Sequence, residues 1–457
     1  VNPLSDITSV YLIGIGGIGM SALARCFAHR GAAVAGYDRT PSPLTERLQE
    51  EGIAVNFDAA VEAIPQKFLR KDGTLVVYTP AIPAGHAQLE HFRANGFEVA
   101  KRAEVLGLLS EDYRTVAVGG THGKTTTSSI LTHLLRTSSL SCNAILGGIS
   151  ADYETNYLSS GRSRLMVTEA DEYDRSFLQL HPHIAIITSV DADHLEIYGS
   201  AAQMVDGFRA FAERVPDSGF LIHRAGLPMD GLDSEAKRFT YAVGDVADFQ
   251  ADNIRVVDGR FTFDLTFPEG EKWTGLVLGI PGRHNVENAV AAIAAATMLG
   301  VTESEIRSAL ASCKGVQRRF EVHVNTPTAA YVDDYAHHPA ELDACISAAR
   351  ELFPNRRLTG IFQPHLFTRT RDHLDGFAQS LSKLDELILL DIYPARELPI
   401  EGVNSTVLLE RVPMNLKTLL RKEEVISYLE TQRPDVLLTM GAGDIDRLVL
   451  PIIDQMK

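Results

Sequence analysis

Short apolar runs separated by helix-spaced stretches recur along the whole chain. Val10–Ile13 ends in glycines, Ile18–Arg30 has helical spacing, Ala33–Tyr37 is a second run and Leu75–Tyr78 a later one. Strands that alternate with helices predict a parallel sheet covered on both faces. The rhythm restarts near Val105. Thr115–Val118 reads as a strand that meets Gly119-Gly120, Thr125–Leu135 as a helix, Leu165–Thr168 and Ile184–Thr188 as two more strands, and Asn288–Leu299 as a long helix. It restarts again around Val322, with runs at Ala329–Val332, Leu358–Phe362, Leu387–Leu390 and Val436–Met440. Helical stretches such as Pro339–Leu352 and Arg371–Leu381 lie between them. The expected fold is therefore α/β in three domains, at residues 1–104, 105–321 and 322–457.

Composition narrows the class. The 457 residues are 45% apolar and 22% charged, an ordinary globular balance, and 457 residues fit about three domains. No apolar run approaches the ~20 residues of a membrane span, and the opening residues have no signal-peptide pattern. Four cysteines without a CxxC exclude a disulfide framework and a zinc ribbon, and fit a reducing, cytoplasmic setting. With 43 Lys+Arg against 59 Asp+Glu, the net charge of −16 argues against binding nucleic acid or anionic lipid. Phosphate ligands remain open, because backbone amides and a few cations hold them locally.

Two glycine loops carry the chemistry. Gly14-Ile15-Gly16-Gly17-Ile18-Gly19 follows a strand and opens a helix, and Asp38 ends the next strand. Such glycines let the backbone approach a diphosphate seated on the helix N-terminus, while the acid takes ribose hydroxyls. A nicotinamide or flavin dinucleotide is the first guess, and a tight turn with no ligand would use the same glycines. The second loop, Gly119-Gly120-Thr121-His122-Gly123-Lys124-Thr125-Thr126-Thr127, ends in the Gly-Lys-Thr of a P-loop. There amides cradle phosphates, Lys124 reaches the β/γ oxygens and the Thr125 hydroxyl suits Mg²⁺. Val118 stands where the full P-loop spacing requires a glycine. Glu169-Ala170-Asp171-Glu172 ends a nearby strand and supplies the oxygen ligands Mg²⁺ prefers. A chain with both loops is not a simple dehydrogenase.

Gly120–Thr126 resembles the shortened P-loop of the Mur ligases, ATP-dependent enzymes that add amino acids to UDP-linked muramic acid. Gly14–Ser21 is similar to the UDP-binding loop of the alanine-adding branch. Glu169–Leu178, Asp193-His194, Gly282–Ala292, Arg318–Glu321, Asp333–Pro339 and Phe362–Asp372 extend the resemblance over all three units. It implies a Rossmann-like N-terminal domain, a central P-loop ATPase domain and a Rossmann-like C-terminal domain. It further implies ligation of L-alanine to the lactoyl carboxylate of UDP-N-acetylmuramate through an acyl phosphate. That reaction belongs to peptidoglycan precursor synthesis, and so to cell-wall growth, cell shape and division. By this resemblance Gly16, Gly17, Ile18 and Gly19 would bind UDP, with Asp38, Thr79, Ala81 and Arg102 around the uridine and diphosphate. Gly120, Thr121, His122, Gly123, Lys124, Thr125 and Thr126 would hold ATP, with His284, Asn285 and Asn288 at the adenine and Asp334 near the ribose. Thr125 and Glu169 would hold one Mg²⁺, and Glu169 with His194 a second. Arg319 resembles the γ-phosphate arginine. His337, His365 and Arg369 would border the amino acid, and His194 or His337 would serve as the base. The protein would act as a monomer or weak homodimer.

Two positions depart from the alanine-adding pattern, and one absence fits it. Leu366 stands where many alanine-adding members carry Arg, and Tyr173 where Ser is commoner, although Tyr also occurs in the tripeptide-recycling branch. Leu195–Arg214 contains no lysine, whereas branches adding later residues use a carbamylated one there. His337-His338 and His365 could also be read as zinc ligands, but no further ligand stands at suitable spacing. Gly441-Ala442-Gly443-Asp444 fits a structural turn and a nucleotide pocket equally. The competing readings are a tripeptide-recycling ligase, a nicotinamide-dependent oxidoreductase and a non-enzymatic ATP-binding module.

Overall fold

The computed structural model describes residues 4–191, 195–395 and 397–456. Its strands form three sheets. The first is wholly parallel, in the spatial order Ala54–Asn56, Ala33–Tyr37, Ser9–Ile13, Thr74–Tyr78, Glu98–Lys101. Strand order reverses between Ser9–Ile13 and Thr74–Tyr78, and that crevice is where open α/β sheets bind ligands. Side chains from its two faces enter separate apolar cores: Val10 and Leu12 one, Tyr11 and Ile13 the other. That division explains the continuous apolar run in the sequence.

The second sheet has ten strands. At its centre Arg114–Gly119 lies between Leu165–Ala170 and Ile184–Ile187, all parallel. The P-loop, Glu169 and Thr188 therefore leave the same edge on three adjacent strands. The third sheet, of six strands, places the antiparallel edge strand Glu321–Asn325 beside Ala330–Asp334. Val436–Met440, Leu358–Phe362, Glu386–Leu389 and Lys417–Leu419 follow in parallel.

Two compact units emerge from the packing. The first holds residues 1–252, 264–276 and 287–314, and so carries the first sheet and the core of the second. The second unit holds residues 253–263, 277–286 and 315–457. Most sequence-read elements fall within a turn of the observed ones. Thr125–Leu135 becomes the helix Lys124–Thr137, and Asn288–Leu299 begins earlier, as Arg283–Met298. The stretch Arg371–Leu381 is two helices, Phe367–Asp372 and Leu374–Leu381, because His373 between them leaves helical geometry at φ −118°. Among the described residues no helix is long and apolar enough to cross a membrane.

Candidate active site

In the first unit both glycine loops are built as the sequence suggests. Gly14 has φ +87°, and a Cβ there would meet Thr79 Cγ2 at 2.6 Å, so Thr79, just past the Thr74–Tyr78 strand, packs on the turn. Gly16 N donates to Asp38 Oδ2 at 2.8 Å. Gly17 caps the helix Ile18–His29 with no side-chain bond, leaving first-turn amides for an anion. Ile18 and Ala81 are exposed. The Arg102 guanidinium lies against Gly19 and bonds Asp171 Oδ2 at 2.9 Å, so one cation touches both the first loop and the acidic turn.

The P-loop closes around its own backbone. Gly120 has φ +136°, and a Cβ there would meet Thr188 Oγ1 at 2.0 Å. Ser189 Oγ accepts from His122 N at 2.8 Å and contacts Thr121 Oγ1 at 2.8 Å. Gly123, at φ +83°, opens the helix Lys124–Thr137, and Asn288 presses against it while accepting from Thr127 Oγ1 at 3.2 Å. Asn288, expected at the adenine, thus lies against the P-loop, and Thr126 is buried. Lys124 Nζ donates to Glu172 Oε1 and Oε2 at 2.9 and 2.7 Å. Burial alone would lower the Lys124 ammonium, but Glu172, Asp171 and Glu169 outweigh it and hold it above its ordinary value. Burial pushes the Glu169 carboxyl up, against Lys124, the Gly147 amide and the Thr125 hydroxyl. Gly147 N donates to Glu169 Oε1 at 2.8 Å and Ser128 Oγ approaches the same oxygen at 3.4 Å. A hydroxyl beside a buried carboxylate at the head of a P-loop fits Mg²⁺, which takes one or two protein oxygens and fills its shell with phosphates and water. Among the described residues no group of three or more His, Cys, Asp or Glu could hold a metal by itself. His194 lies outside the described residues.

Sequence reasoning missed Asn156. Fully buried, it donates from Nδ2 to Ile18 O at 2.7 Å and Ser21 Oγ at 2.9 Å, and accepts from Arg25 Nη1 at 2.5 Å. Arg25 also grips Glu51 through two bonds, at 2.7 and 2.9 Å. This network ties the helix behind the first loop to the segment carrying Gly147. Only the unusual Arg25, on an otherwise apolar helical face, signals it in the sequence.

The second unit gathers the remaining candidates. Arg318 and Phe320 have φ +60° and +50°, flanking Arg319. Arg318 is committed to Asp333 Oδ2 at 3.0 Å and Gly441 O at 2.8 Å, whereas Arg319 lies over the Tyr335 ring, 3.7 Å from Glu341. Asp334 accepts from Phe320 N and Ala336 N, each at 2.7 Å. Burial nevertheless pushes its carboxyl up to about 7, against Arg319 and those two amides. Burial, aided by Arg319 and opposed by Glu341, pushes His284 down to about 4, so its ring is neutral at pH 7. Asn285 bonds Pro281 O at 2.6 Å. His337 packs edge-on to His365 with ring centroids 6.2 Å apart, and Arg369 Nη1 contacts His365 Nδ1 at 3.2 Å, so the three amino-acid candidates stand together. Leu366 sits at φ +73° and donates its amide to Tyr393 O. Gly441 and Gly443 pack on Gln363, where a Cβ would approach within 2.7 and 2.5 Å, so this turn has no room for side chains at the two glycines.

A shortened P-loop beside a separate nucleotide loop, followed by a further doubly wound sheet, is the arrangement of an ATP-dependent ligase. Comparison with known proteins agrees. Residues 9–114 match the family described as "Mur ligase family, catalytic domain", residues 118–296 the "Mur ligase middle domain" and residues 318–443 the "Mur ligase, glutamate ligase domain". A UDP-N-acetylmuramate–L-alanine ligase of Porphyromonas gingivalis is 51% identical over 97% of this chain and 98% of its own. The solved UDP-N-acetylmuramate-alanine ligase of Thermotoga maritima is 27% identical with a TM-score of 0.83, covering 98% of both chains. A murein peptide ligase of Psychrobacter arcticus shares the fold, with a TM-score of 0.71 at 22% identity over 98% of both chains. The chain belongs to the Mur ligase family.

Proposed function

We infer that this chain joins L-alanine to the lactoyl carboxylate of UDP-N-acetylmuramate at the expense of ATP, supplying peptidoglycan precursor synthesis in the cytoplasm as a monomer or weak homodimer. The observation that carries the reading is the pairing, in one compact unit, of a diphosphate loop with a P-loop, with Arg102 joining the first loop to the acidic turn at Asp171. Relatives of similar length that carry the alanine-ligase name favour this branch over tripeptide recycling, and a nicotinamide enzyme would leave the P-loop without a role.

A carboxylate is a poor electrophile. Transfer of the γ-phosphoryl group of ATP makes an acyl phosphate with ADP leaving, and the alanine amine then attacks and expels phosphate. Gly16, Gly17, Ile18 and Gly19 would seat the UDP diphosphate, with Asp38, Thr79, Ala81 and Arg102 around it. Lys124 and Arg319 oppose the charge on the transferring phosphoryl group, and the amides of Gly120 to Thr126 hold the chain of phosphates. His284, Asn285 and Asn288 would border the adenine, and Asp334 the ribose. Mg²⁺, two ions in this reading, supplies charge neutralisation when bound, one at Thr125 and Glu169 and one at Glu169 and His194. The attacking amine must be neutral. Burial lowers His337 below its ordinary value, aided by Arg369 and opposed by Glu341, and its Nδ1–H faces Tyr335 O at 2.9 Å. Its Nε2 is thereby left as the proton acceptor. Arg369 and His365 would hold the alanine carboxylate.

The test is phosphate release from UDP-N-acetylmuramate and Mg-ATP on adding L-alanine, glycine, L-serine or the tripeptide. L-alanine should give the fastest release. Release with the tripeptide alone would overturn the reading.

A further inference from the structure

An ammonium has three protons to donate. Those of Lys124 all have acceptors within the protein: both Glu172 oxygens and Gly120 O, the last at 2.6 Å. Glu172 is 2% exposed, so this is a buried two-oxygen ion pair and not a solvated surface contact. The turn that presents Glu172 is itself over-determined. Asp174 and Arg175 follow it in consecutive left-handed conformations, each at φ +53°. Non-glycine residues keep such angles only where surrounding contacts enforce them. Here Tyr198 OH donates to Glu172 O at 2.7 Å, Lys101 bonds Asp174 at 2.9 Å, Arg102 bonds Asp171 at 2.9 Å, and Phe177 N donates to Asp171 O at 2.8 Å.

We propose that Glu172 is a positioning residue that pairs with Lys124 and competes with the ATP phosphates for it, thereby setting how tightly ATP binds. The inference rests on the P-loop being the ATP site. It makes ATP binding an exchange. The lysine leaves one anion for another, and only the difference between the two pairs contributes to affinity. Glutamine in place of Glu172 keeps the shape and one acceptor but removes the charge, so the ammonium is released more easily.

The experiment is calorimetric titration of a non-hydrolysable ATP analogue with Mg²⁺ into the full chain, as wild type, Glu172→Gln, Lys124→Met and the double variant. Glu172→Gln should bind about tenfold more tightly than wild type, equivalent to about 1.4 kcal/mol. In the Lys124→Met background the same substitution should change the dissociation constant by less than about twofold, because the competition has been removed. Equal or weaker binding by Glu172→Gln overturns the proposal. So does a tightening of equal size in the Lys124→Met background, which would mark a general effect of charge. Glu172→Asp, which keeps the charge but retracts it by one methylene, should also tighten binding; if Glu172→Gln fails to fold, its failure to do so overturns the proposal instead. If the wild type binds no analogue, the ATP reading itself falls, and the proposal with it.

Discussion

Replacing Asn156 with alanine tests whether the first loop depends on the segment that carries Gly147. The substitution removes two donors, to Ile18 O and Ser21 Oγ, and the acceptor of Arg25. Ser21 Oγ still donates to Ile18 O at 2.9 Å, and Arg25 retains both bonds to Glu51, so neither partner is stripped completely. A lost bond to a charged group costs about 1.5–3 kcal/mol and each of the two neutral ones about 0.5–1.5, and because the partners keep other bonds the total lies toward the lower end, about 3 kcal/mol. At about 2–4 °C per kcal/mol for domains of this size, the melting temperature should fall by about 6–12 °C. Ile18 and Ser21 form the first turn of the helix proposed to seat the UDP diphosphate, so KM for UDP-N-acetylmuramate should rise severalfold while kcat changes little. Differential scanning calorimetry and initial-rate kinetics read the two effects. Asn156→Asp, which can still accept from Arg25 but cannot donate, should keep part of the stability and lose the effect on KM least. A melting shift below about 2 °C with an unchanged KM would refute the reasoning, since a fully buried three-bond side chain cannot be that dispensable.

Two further outcomes follow from the same geometry. Gly120→Ala places a Cβ 2.0 Å from Thr188 Oγ1 and 2.8 Å from Ser189 N at φ +136°, so it should abolish binding of an ATP analogue; titration within about threefold of wild type would show that the loop does not need this conformation. Burial of Asp334 holds its carboxyl at about 7, above the unfolded value near 4, so the folded state binds the extra proton in between. Its contribution to stability therefore declines as pH rises from about 4 to about 7, by up to about 1.4 kcal/mol per pH unit. Asp334→Asn removes that decline. The variant-minus-wild-type difference in urea midpoint should rise between about pH 5 and about pH 7, and a flat or falling difference would contradict the assignment.

What the sequence discloses and what it hides divide along the range of the forces involved. The strands before Gly14 and Gly120 are legible because both faces of each are covered, so Val10–Ile13 and Val116–Val118 are continuous apolar runs and the glycines that follow mark the turn. Phe249–Val257 escapes the same reading. Only Phe249 and Ala251 in it are buried and polar residues interrupt it, so a search for continuous apolar runs passes over it. Lys124, Glu169 and Arg319 can be named from motifs whose chemistry is local. The bond between Asn156 and Ser21 spans 135 residues, and that between Lys124 and Glu172 spans 48, and no local spacing encodes either. The left-handed pair Asp174-Arg175 is hidden for a related reason, since neither residue is a glycine that would mark the turn. His337, His365 and Arg369 come from two loops of one sheet edge and meet only once that sheet has formed.

Both phosphate-binding loops of this protein carry an anion of their own: Asp38 on the amide of Gly16, and Glu172 on the ammonium of Lys124. Small anions such as inorganic phosphate, chloride and carboxylates could settle on an open nest of amides and cations. An amide or ammonium already paired with a carboxylate of the protein gives such weak competitors less to gain. Only a ligand that brings many contacts at once, a diphosphate with its nucleoside or a triphosphate with its metal, gains enough to displace the resident carboxylate. Discrimination against small anions is thus built into the contacts of the two loops themselves, before any recognition of base or sugar begins.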